Sequence, residues 1–294
     1  LWVRTYYSEY DRKEIDASLK KIYTILHSDG GNDTLPFLNV DAIDYCTFGN
    51  SKPFRIKIRN ILNDNYTYFY VKKADASRIY GLELEHILSP HNMNFLVYKD
   101  TLIEEHISGI PGDDFIKEFL PKCTESEKSQ IAKEFVKFKE RCLVRLLGDM
   151  RSYNYVIIPT HDFDKIIYKI RAIDFDQQSF EGNLKVYNLQ FLKENFKIVE
   201  MVNRKLDNNS INQYKLEERS FMAKRMISSP RRASSLIECM KNDSISFDNN
   251  IQLLKKQLIK YVGDVKFKEC QNMGDILETI LVFVKRNYQD VLTK

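Results

Sequence analysis

The chain has 294 residues, of which 43% are hydrophobic, 29% charged and 12% aromatic. This is the composition of a folded globular protein, and 10 Gly and 7 Pro are too few for long disordered linkers. The formal net charge of +4 is spread along the sequence, so the concentrated basic face of a nucleic-acid-binding module is not expected.

The five cysteines, at positions 46, 123, 142, 239 and 270, include no Cys-x-x-Cys pair. An odd number without metal-ligand spacing predicts reduced thiols rather than a disulfide framework or a zinc site. No apolar run reaches the roughly 18 residues of a membrane span, and the sequence shows no signal-peptide pattern. We therefore expect a cytoplasmic protein without a membrane span.

The first part of the chain predicts one helix and then strands. The helix lies within residues 1–30, where apolar side chains recur at helical spacing: Ile15, Leu19, Ile22, Tyr23 and Leu26. Residues 44–48 and 54–59 flank a turn and predict a β-hairpin. Residues 67–71 are rich in aromatic side chains and predict a third strand. These segments predict a three-stranded antiparallel meander.

The next elements lead to the middle of the chain. A helix is predicted for residues 78–88, ended by Pro90, and strands are predicted for 94–98 and 101–107. Gly and Pro residues at 108–112 then interrupt the sheet pattern.

The remainder predicts mostly helices. Thr124 and Glu127 form a capping box that begins a long helix, and this helix leads directly to Gly148 and Asp149. Residues 155–158 and 166–173 predict a second hairpin. Further helices are predicted near 188–206, 214–227, 250–262 and 275–288, the last with Asp275 and Glu278 as its capping box.

This order of elements predicts an α+β fold in two parts. Residues 1–107 are expected to form an N-terminal lobe with a helix and an antiparallel β-sheet that carries one more helix. Residues 108–294 are expected to form a mainly helical C-terminal lobe.

Three polar side chains are expected at one end of the second hairpin. Asp149 and Asn154 lie in a non-helical turn directly before its first strand, and Asp174 directly follows its second strand. Phosphoryl transfer needs such groups, namely a carboxylate that orients the nucleophile and oxygen donors that hold Mg²⁺ on the phosphates.

The Asp-x-x-x-x-Asn spacing at 149–154 and the sequence Ile-Asp-Phe-Asp at 173–176 resemble the catalytic loop and the Asp-Phe-Gly metal motif of the protein-kinase-like superfamily. The similarity spans residues 44–180, about half of the chain. It is strongest to the aminoglycoside-phosphotransferase-like branch of small-molecule kinases, with HipA-like kinases as relatives. The resemblance implies a two-lobed protein-kinase-like fold that uses ATP and Mg²⁺.

The resemblance implies a role for each polar residue of the loop and the metal motif. Asp149 would orient the acceptor hydroxyl, and Arg151 would either contact phosphate or substrate or remain solvated. Asn154 and Asp174 would hold Mg²⁺. Asp176, which replaces the Gly of the family motif, is either a second metal ligand or a substitution that inactivates the site. His is usual in this branch at the position of Leu147.

The nucleotide-binding lysine is expected at the end of the third strand. Lys72 and Lys73 point to opposite faces, and the family pattern favours Lys72. Its carboxylate partner is expected on the next helix, where Glu83 and Glu85 cannot share a face; the spacing favours Glu83.

Two further segments resemble nucleotide-binding parts of these kinases. The turn that contains Gly49 and Ser51 stands where backbone amides would meet phosphate. Residues 104–114 resemble the inter-lobe hinge, where backbone groups such as those of Glu105 and Ile107 would bind adenine.

These expectations add up to an ATP-dependent phosphotransferase that acts on a hydroxyl, most simply of a small molecule. One alternative is a serine/threonine protein kinase of the toxin or regulatory type, with Ser228 and Ser229 in a basic docking or autophosphorylation segment. The other is a catalytically dead kinase-like binding module.

Overall fold

The computed structural model describes residues 1–27, 31–48, 51–163 and 165–292. They form two compact units, one of residues 1–75 with 93–107 and the other of residues 76–92 with 108–294. The chain therefore passes into the second unit for one helix before it returns to complete the sheet. Segment 76–92, expected in the N-terminal lobe, belongs to the second unit.

The described residues of the first unit form a six-stranded sheet with one α-helix. The strands lie in the order β1-β2-β3-β4-β6-β5 and every neighbouring pair is antiparallel. Their bounds are β1 Trp2–Arg4, β2 Leu38–Cys46, β3 Phe54–Asn60, β4 Asn65–Lys73, β5 Phe95–Tyr98 and β6 Thr101–Glu105, and the helix α1 is Glu9–His27. The predicted helix and meander are confirmed, while β1 is too short to give a periodic signal.

The core of the first unit lies between α1 and one face of the sheet. Alternate residues of β3, Ile56 and Ile58, are buried with Phe69 of β4, because successive side chains of a strand point to opposite faces. Leu19 and Leu26 of α1 pack in the same cluster. The period of two in the strands and of 3.6 in the helix thus bury a common apolar layer.

The second unit is mainly helical with one small sheet. Its helices are α2 Ala76–Leu88, α3 Gly112–Asp114, α4 Glu125–Arg145, α5 Phe196–Lys205, α6 Asn208–Ser228, α7 Pro230–Asn242, α8 Asp248–Val262 and α9 Met273–Leu292. The sheet has the antiparallel order β7-β8-β9, with β7 Ile110–Pro111, β8 Tyr155–Asp162 and β9 Lys165–Ala172. The predicted α+β class, an antiparallel sheet followed by a mainly helical part, is confirmed.

Helix α2 belongs to the second unit because its apolar face is part of that unit's core. Leu84, Ile87 and Leu88 are buried in one cluster with residues of α4, α6, α7, α8 and α9. The sequence placed this helix beside the strands that flank it in the chain, whereas burial of these three leucine and isoleucine side chains places it among helices.

The two predicted capping boxes have different outcomes. At α4 the Thr124 hydroxyl accepts a hydrogen bond from the Glu127 amide, and the Glu127 carboxylate accepts one from the Thr124 amide, so this box is confirmed. At α9 the prediction was wrong, since the helix begins at Met273 and the Asp275 amide donates to the Asn272 side chain at 2.8 Å. An Asn one turn earlier competes successfully for the capping position.

Across the described ranges, no helix combines the length and the apolar character that a bilayer crossing requires. The five cysteines are free thiols, two of them buried. The disulfide framework that the spacing argued against is absent from the described residues.

Candidate active site

The loop between α4 and β8 is held in an irregular conformation by the backbone. Leu146 ends α4 with a left-handed φ of 57°, and Asp149 has a φ of 53°. The Asp149 amide donates to the Val186 carbonyl at 3.1 Å, and the Gly148 amide donates to the Gln177 carbonyl at 3.1 Å. These contacts fix the loop from both sides. Leu147 stands where the kinases that the sequence resembles usually have His. Its side chain is fully buried and packs in the interior.

The Asp149 carboxylate lies in a small polar cluster. Arg151 Nε donates to Asp149 Oδ1 at 2.7 Å, and Arg151 Nη1 donates to Glu194 Oε1 at 3.0 Å. The hydrogen bond and charge of Asp149 hold the pKa of Arg151 above its usual value. Asp149 remains about one-third exposed, so its second oxygen can accept a hydrogen bond from a substrate hydroxyl.

Asn154 is oriented by the same loop. Its side-chain Nδ2 donates to the Asp149 carbonyl at 2.8 Å. This hydrogen bond fixes the orientation of the side-chain amide, so that Oδ1 points away from the Asp149 carbonyl. The Asn154 carbonyl accepts from the Ile173 amide at 3.1 Å, while Tyr155 pairs with Ala172. Antiparallel pairing therefore places Asn154 and Asp174 at the same end of the hairpin, as the sequence predicted.

Asp174 carries the feature that fits a cation. Its Oδ1 atom is buried and has no hydrogen-bond partner among the described residues. A buried, unpaired carboxylate oxygen is costly unless it meets a cation or donor. Asp and Asn oxygens are the ligands that Mg²⁺ prefers, so Asn154 and Asp174 suit this ion. No cluster of three or more His, Cys, Asp or Glu side chains that could hold a metal occurs in the described ranges.

Asp176 differs from Asp174 in its surroundings. Its Oδ2 lies 3.3 Å from an Nη of Arg78, a residue of α2 whose side chain is only 9% exposed. The positive charge of Arg78 partly compensates Asp176, which makes it a weaker cation ligand than Asp174. The two carboxylates, to which the sequence assigned different roles, thus also differ in their surroundings.

A buried network connects α2 to the end of α4, which precedes the Asp149 loop, and to Gln178, which follows Asp174 and Asp176. Arg145, at 0% exposure, donates to the Glu85 carboxylate, to the Gly81 carbonyl and, at 3.3 Å, to Gln178 Oε1. Gln178 Nε2 in turn donates to the carbonyls of Arg145 and Leu146. Gly81 is required here, because a Cβ would lie 2.7 Å from Cβ of Phe175. The network fixes both segments that carry the candidate site.

Glu85→Gln is expected to lower the free energy of unfolding by about 3 kcal/mol, because it leaves the buried Arg145 charge uncompensated. Urea denaturation measures the change as a lower midpoint. The control is Glu83→Gln on the same helix, where the carboxylate pairs with a half-exposed Arg232 at 2.6 Å and about 0–1 kcal/mol is expected. Equal losses in the two variants would contradict the structural role of Glu85.

The nucleotide-lysine candidate has a partner within the first unit. Lys72 Nζ lies 2.6 Å from Glu104 Oε2, with the two side chains 9% and 1% exposed. Glu104 lies on β6, which pairs with β4 in the sheet. Lys73 is exposed. The partner predicted for Lys72, Glu83, instead forms its ion pair with Arg232 in the second unit.

The other predicted nucleotide-binding residues are partly described. Gly49 lies outside the described residues, and Ser51 is half-buried in the turn before β3. The Glu105 carboxylate accepts hydrogen bonds from the Asn94 amide and side chain at 2.8 and 3.2 Å. Ile107 is buried directly after β6. The roles of these four residues stay predictions.

Two residues near the loop were not identified from the sequence. Glu194 is an ion-pair partner of Arg151, and its Oε2 is buried without a hydrogen-bond partner within the described ranges. The neighbouring Asn195, fully buried, donates to the Met150 carbonyl at 3.0 Å and accepts from the Tyr155 hydroxyl at 3.0 Å. Both lie about forty residues beyond the loop in the chain, and no local motif marks them.

Comparisons with known proteins do not assign a function to the chain, so the interpretation of the site depends on its geometry. No protein-family model matches the chain, and no curated protein matches it. Among solved structures, an ethanolamine kinase from Plasmodium vivax is similar over 96% of this chain and 93% of its own, with 13% sequence identity and a TM-score of 0.36. A similarity at this level does not by itself identify a reaction or a substrate.

Proposed function

We propose that this protein is an ATP- and Mg²⁺-dependent phosphotransferase with a protein-kinase-like catalytic site. It would transfer the γ-phosphoryl group to a hydroxyl of a small molecule. The observation that carries the proposal is the end of the β8–β9 hairpin. There the Asp149 carboxylate, an oriented Asn154 amide and the unpaired Asp174 oxygen follow in the order that phosphoryl transfer uses.

Each residue has a role that its contacts support. Asp149 accepts the proton of the acceptor hydroxyl or orients it, through the oxygen that Arg151 leaves available. Asn154 and Asp174 would hold Mg²⁺, which would supply positive charge beside the transferred phosphoryl group. Arg151, held by Glu194, supplies a positive charge beside the reacting atoms.

Incubation with γ-labelled ATP tests this function. The purified chain is mixed with Mg²⁺, labelled ATP and panels of metabolite or protein acceptors, and the labelled product is identified. The proposal is supported if the wild type labels a metabolite and Asp149→Asn does not. Labelling of a Ser or Thr side chain would show that the acceptor is a protein. Absence of Mg²⁺-ATP binding in calorimetry would contradict the proposal as a whole.

Lys72→Met is expected to weaken ATP binding by about 10- to 100-fold, the value of a charge-assisted contact with phosphate. Calorimetry with Mg²⁺-ATP measures the dissociation constant. Because Lys72→Met leaves Glu104 buried without its cation, the double variant Lys72→Met/Glu104→Gln is compared as well. It should regain thermal stability without regaining ATP affinity.

Lys73→Met is the matched control for this lysine, since it removes the same charge from the exposed neighbour. ATP binding should then match the wild type. If Lys73→Met is the variant that loses affinity, the assignment of Lys72 is wrong.

A further inference from the structure

A cavity of about 400 Å³ lies among helices of the second unit, and none of its lining residues belongs to the candidate active site. Residues of helices α4, α6 and α8 form its walls together with five residues of the segment before α5, namely Leu184, Lys185, Asn188, Gln190 and Phe191. Its size is in the range of small-molecule sites, which are typically about 300–1,000 Å³.

The cavity has an excess of positive charge. Four lysines line it, namely Lys139, Lys185, Lys215 and Lys260, against one carboxylate, Glu140. Glu140 accepts from Arg219, so its charge is already compensated. None of the four lysines forms an ion pair with a carboxylate in the described part of the chain, and Lys139 donates only to the neutral Gln190, at 3.0 Å.

Lys139 and Lys215 are the pair that makes the excess costly. Burial and the nearby positive charge of Lys215 hold the pKa of Lys139 below its usual value. Two like charges that lie close together in a partly buried site repel each other, and a bound anion compensates this repulsion. A phosphate group supplies two negative charges and several acceptor oxygens for such amines.

The neutral part of the lining adds a second requirement. Asn188 is 8% exposed and lines the cavity, and its buried Oδ1 has no hydrogen-bond partner in the part of the chain that the structure describes. A buried carbonyl oxygen of this kind requires a donor such as a hydroxyl. The rings of Phe191 and Tyr261, both about half-exposed, offer apolar surface beside the amines.

We propose that this cavity binds a small phosphorylated metabolite that carries hydroxyl groups, the class that includes sugar phosphates and nucleoside monophosphates. The lysines bind the phosphate and Asn188 accepts a hydrogen bond from a hydroxyl. Val186, which follows the lining residue Lys185, accepts a hydrogen bond from the Asp149 amide through its carbonyl at 3.1 Å.

Calorimetry with ribose 5-phosphate, ribose and inorganic phosphate tests the site without any need for phosphoryl transfer. Ribose 5-phosphate should bind the wild type, and ribose should not. Lys139→Gln/Lys215→Gln should weaken its binding at least tenfold. Lys268→Gln/Lys285→Gln removes two exposed lysines outside the cavity and should change nothing. Unchanged binding in the first double variant would overturn the site.

Two further variants separate the parts of the proposal. Asn188→Ala should weaken binding of ribose 5-phosphate and leave that of inorganic phosphate unchanged. If phosphate alone binds as tightly as the sugar phosphate, the hydroxyl contact is wrong. Lys72→Met should retain ribose 5-phosphate binding, since this cavity is separate from the proposed nucleotide lysine. Loss of binding in that variant would show occupancy of the nucleotide site and would contradict the second site.

Discussion

Asp149→Asn is expected to lower kcat for phosphoryl transfer by about 10²- to 10⁴-fold, the contribution typical of a positioned general base. The KM for ATP should remain near its wild-type value, because the base acts on the acceptor hydroxyl in the transition state. Steady-state rates with saturating ATP and the acceptor found by labelling measure both constants.

Asn is the replacement that isolates the carboxylate. Asp149 has a left-handed backbone, which Asn adopts more readily than most residues, so the loop should keep its conformation. The Asn side-chain oxygen can still accept from Arg151 Nε. Ala at this position would combine loss of the base with backbone strain, and its effect would be harder to interpret.

Asp248→Asn is the control for the charge change. Asp248 is an exposed residue in the first turn of α8, and its substitution should leave kcat unchanged. Circular dichroism and thermal unfolding should show both variants folded. If Asp149→Asn keeps most of the wild-type kcat, Asp149 has no part in the chemistry.

Local signals in the sequence were sufficient for most elements. The capping box at Thr124 and the hairpin that carries Asp174 depend on residues within a few positions of each other, and both are confirmed. Helix α7 was missed, although Pro230 at its first turn is a typical helix-start signal. The error at α9 arose because Asn272 and Asp275 were both capable of capping.

Partners distant in sequence could not be predicted in the same way. The spacing between Glu83 and Glu85 does not show which faces inward. Their partners, Arg232 and Arg145, lie 149 and 60 residues away. Similarly, strand alternation alone does not show that Glu104 rather than Glu105 is the one that faces Lys72. Charged residues are paired by tertiary packing, and a single sequence carries little record of it.

Asp174→Asn is expected to reduce kcat/KM by about 10³-fold, because a metal ligand that is lost removes several kcal/mol of transition-state stabilisation. Mn²⁺ binding in the presence of ADP is a second readout, which does not depend on turnover and is measured by paramagnetic relaxation. Asp174→Asn should weaken this binding strongly. The physical reason is the buried Oδ1 of Asp174, which has no hydrogen-bond partner among the described residues and which a cation would compensate.

Asp176→Asn is the matched control, two residues further along the same segment. Its carboxylate already lies 3.3 Å from an Nη of Arg78, so its substitution should leave Mn²⁺ binding within about threefold of the wild type, a difference of less than 1 kcal/mol. If Asp176→Asn loses the metal and Asp174→Asn retains it, the two roles are exchanged. If both lose it, the ion is held by two carboxylates, and Arg78 must release Asp176 when the metal binds.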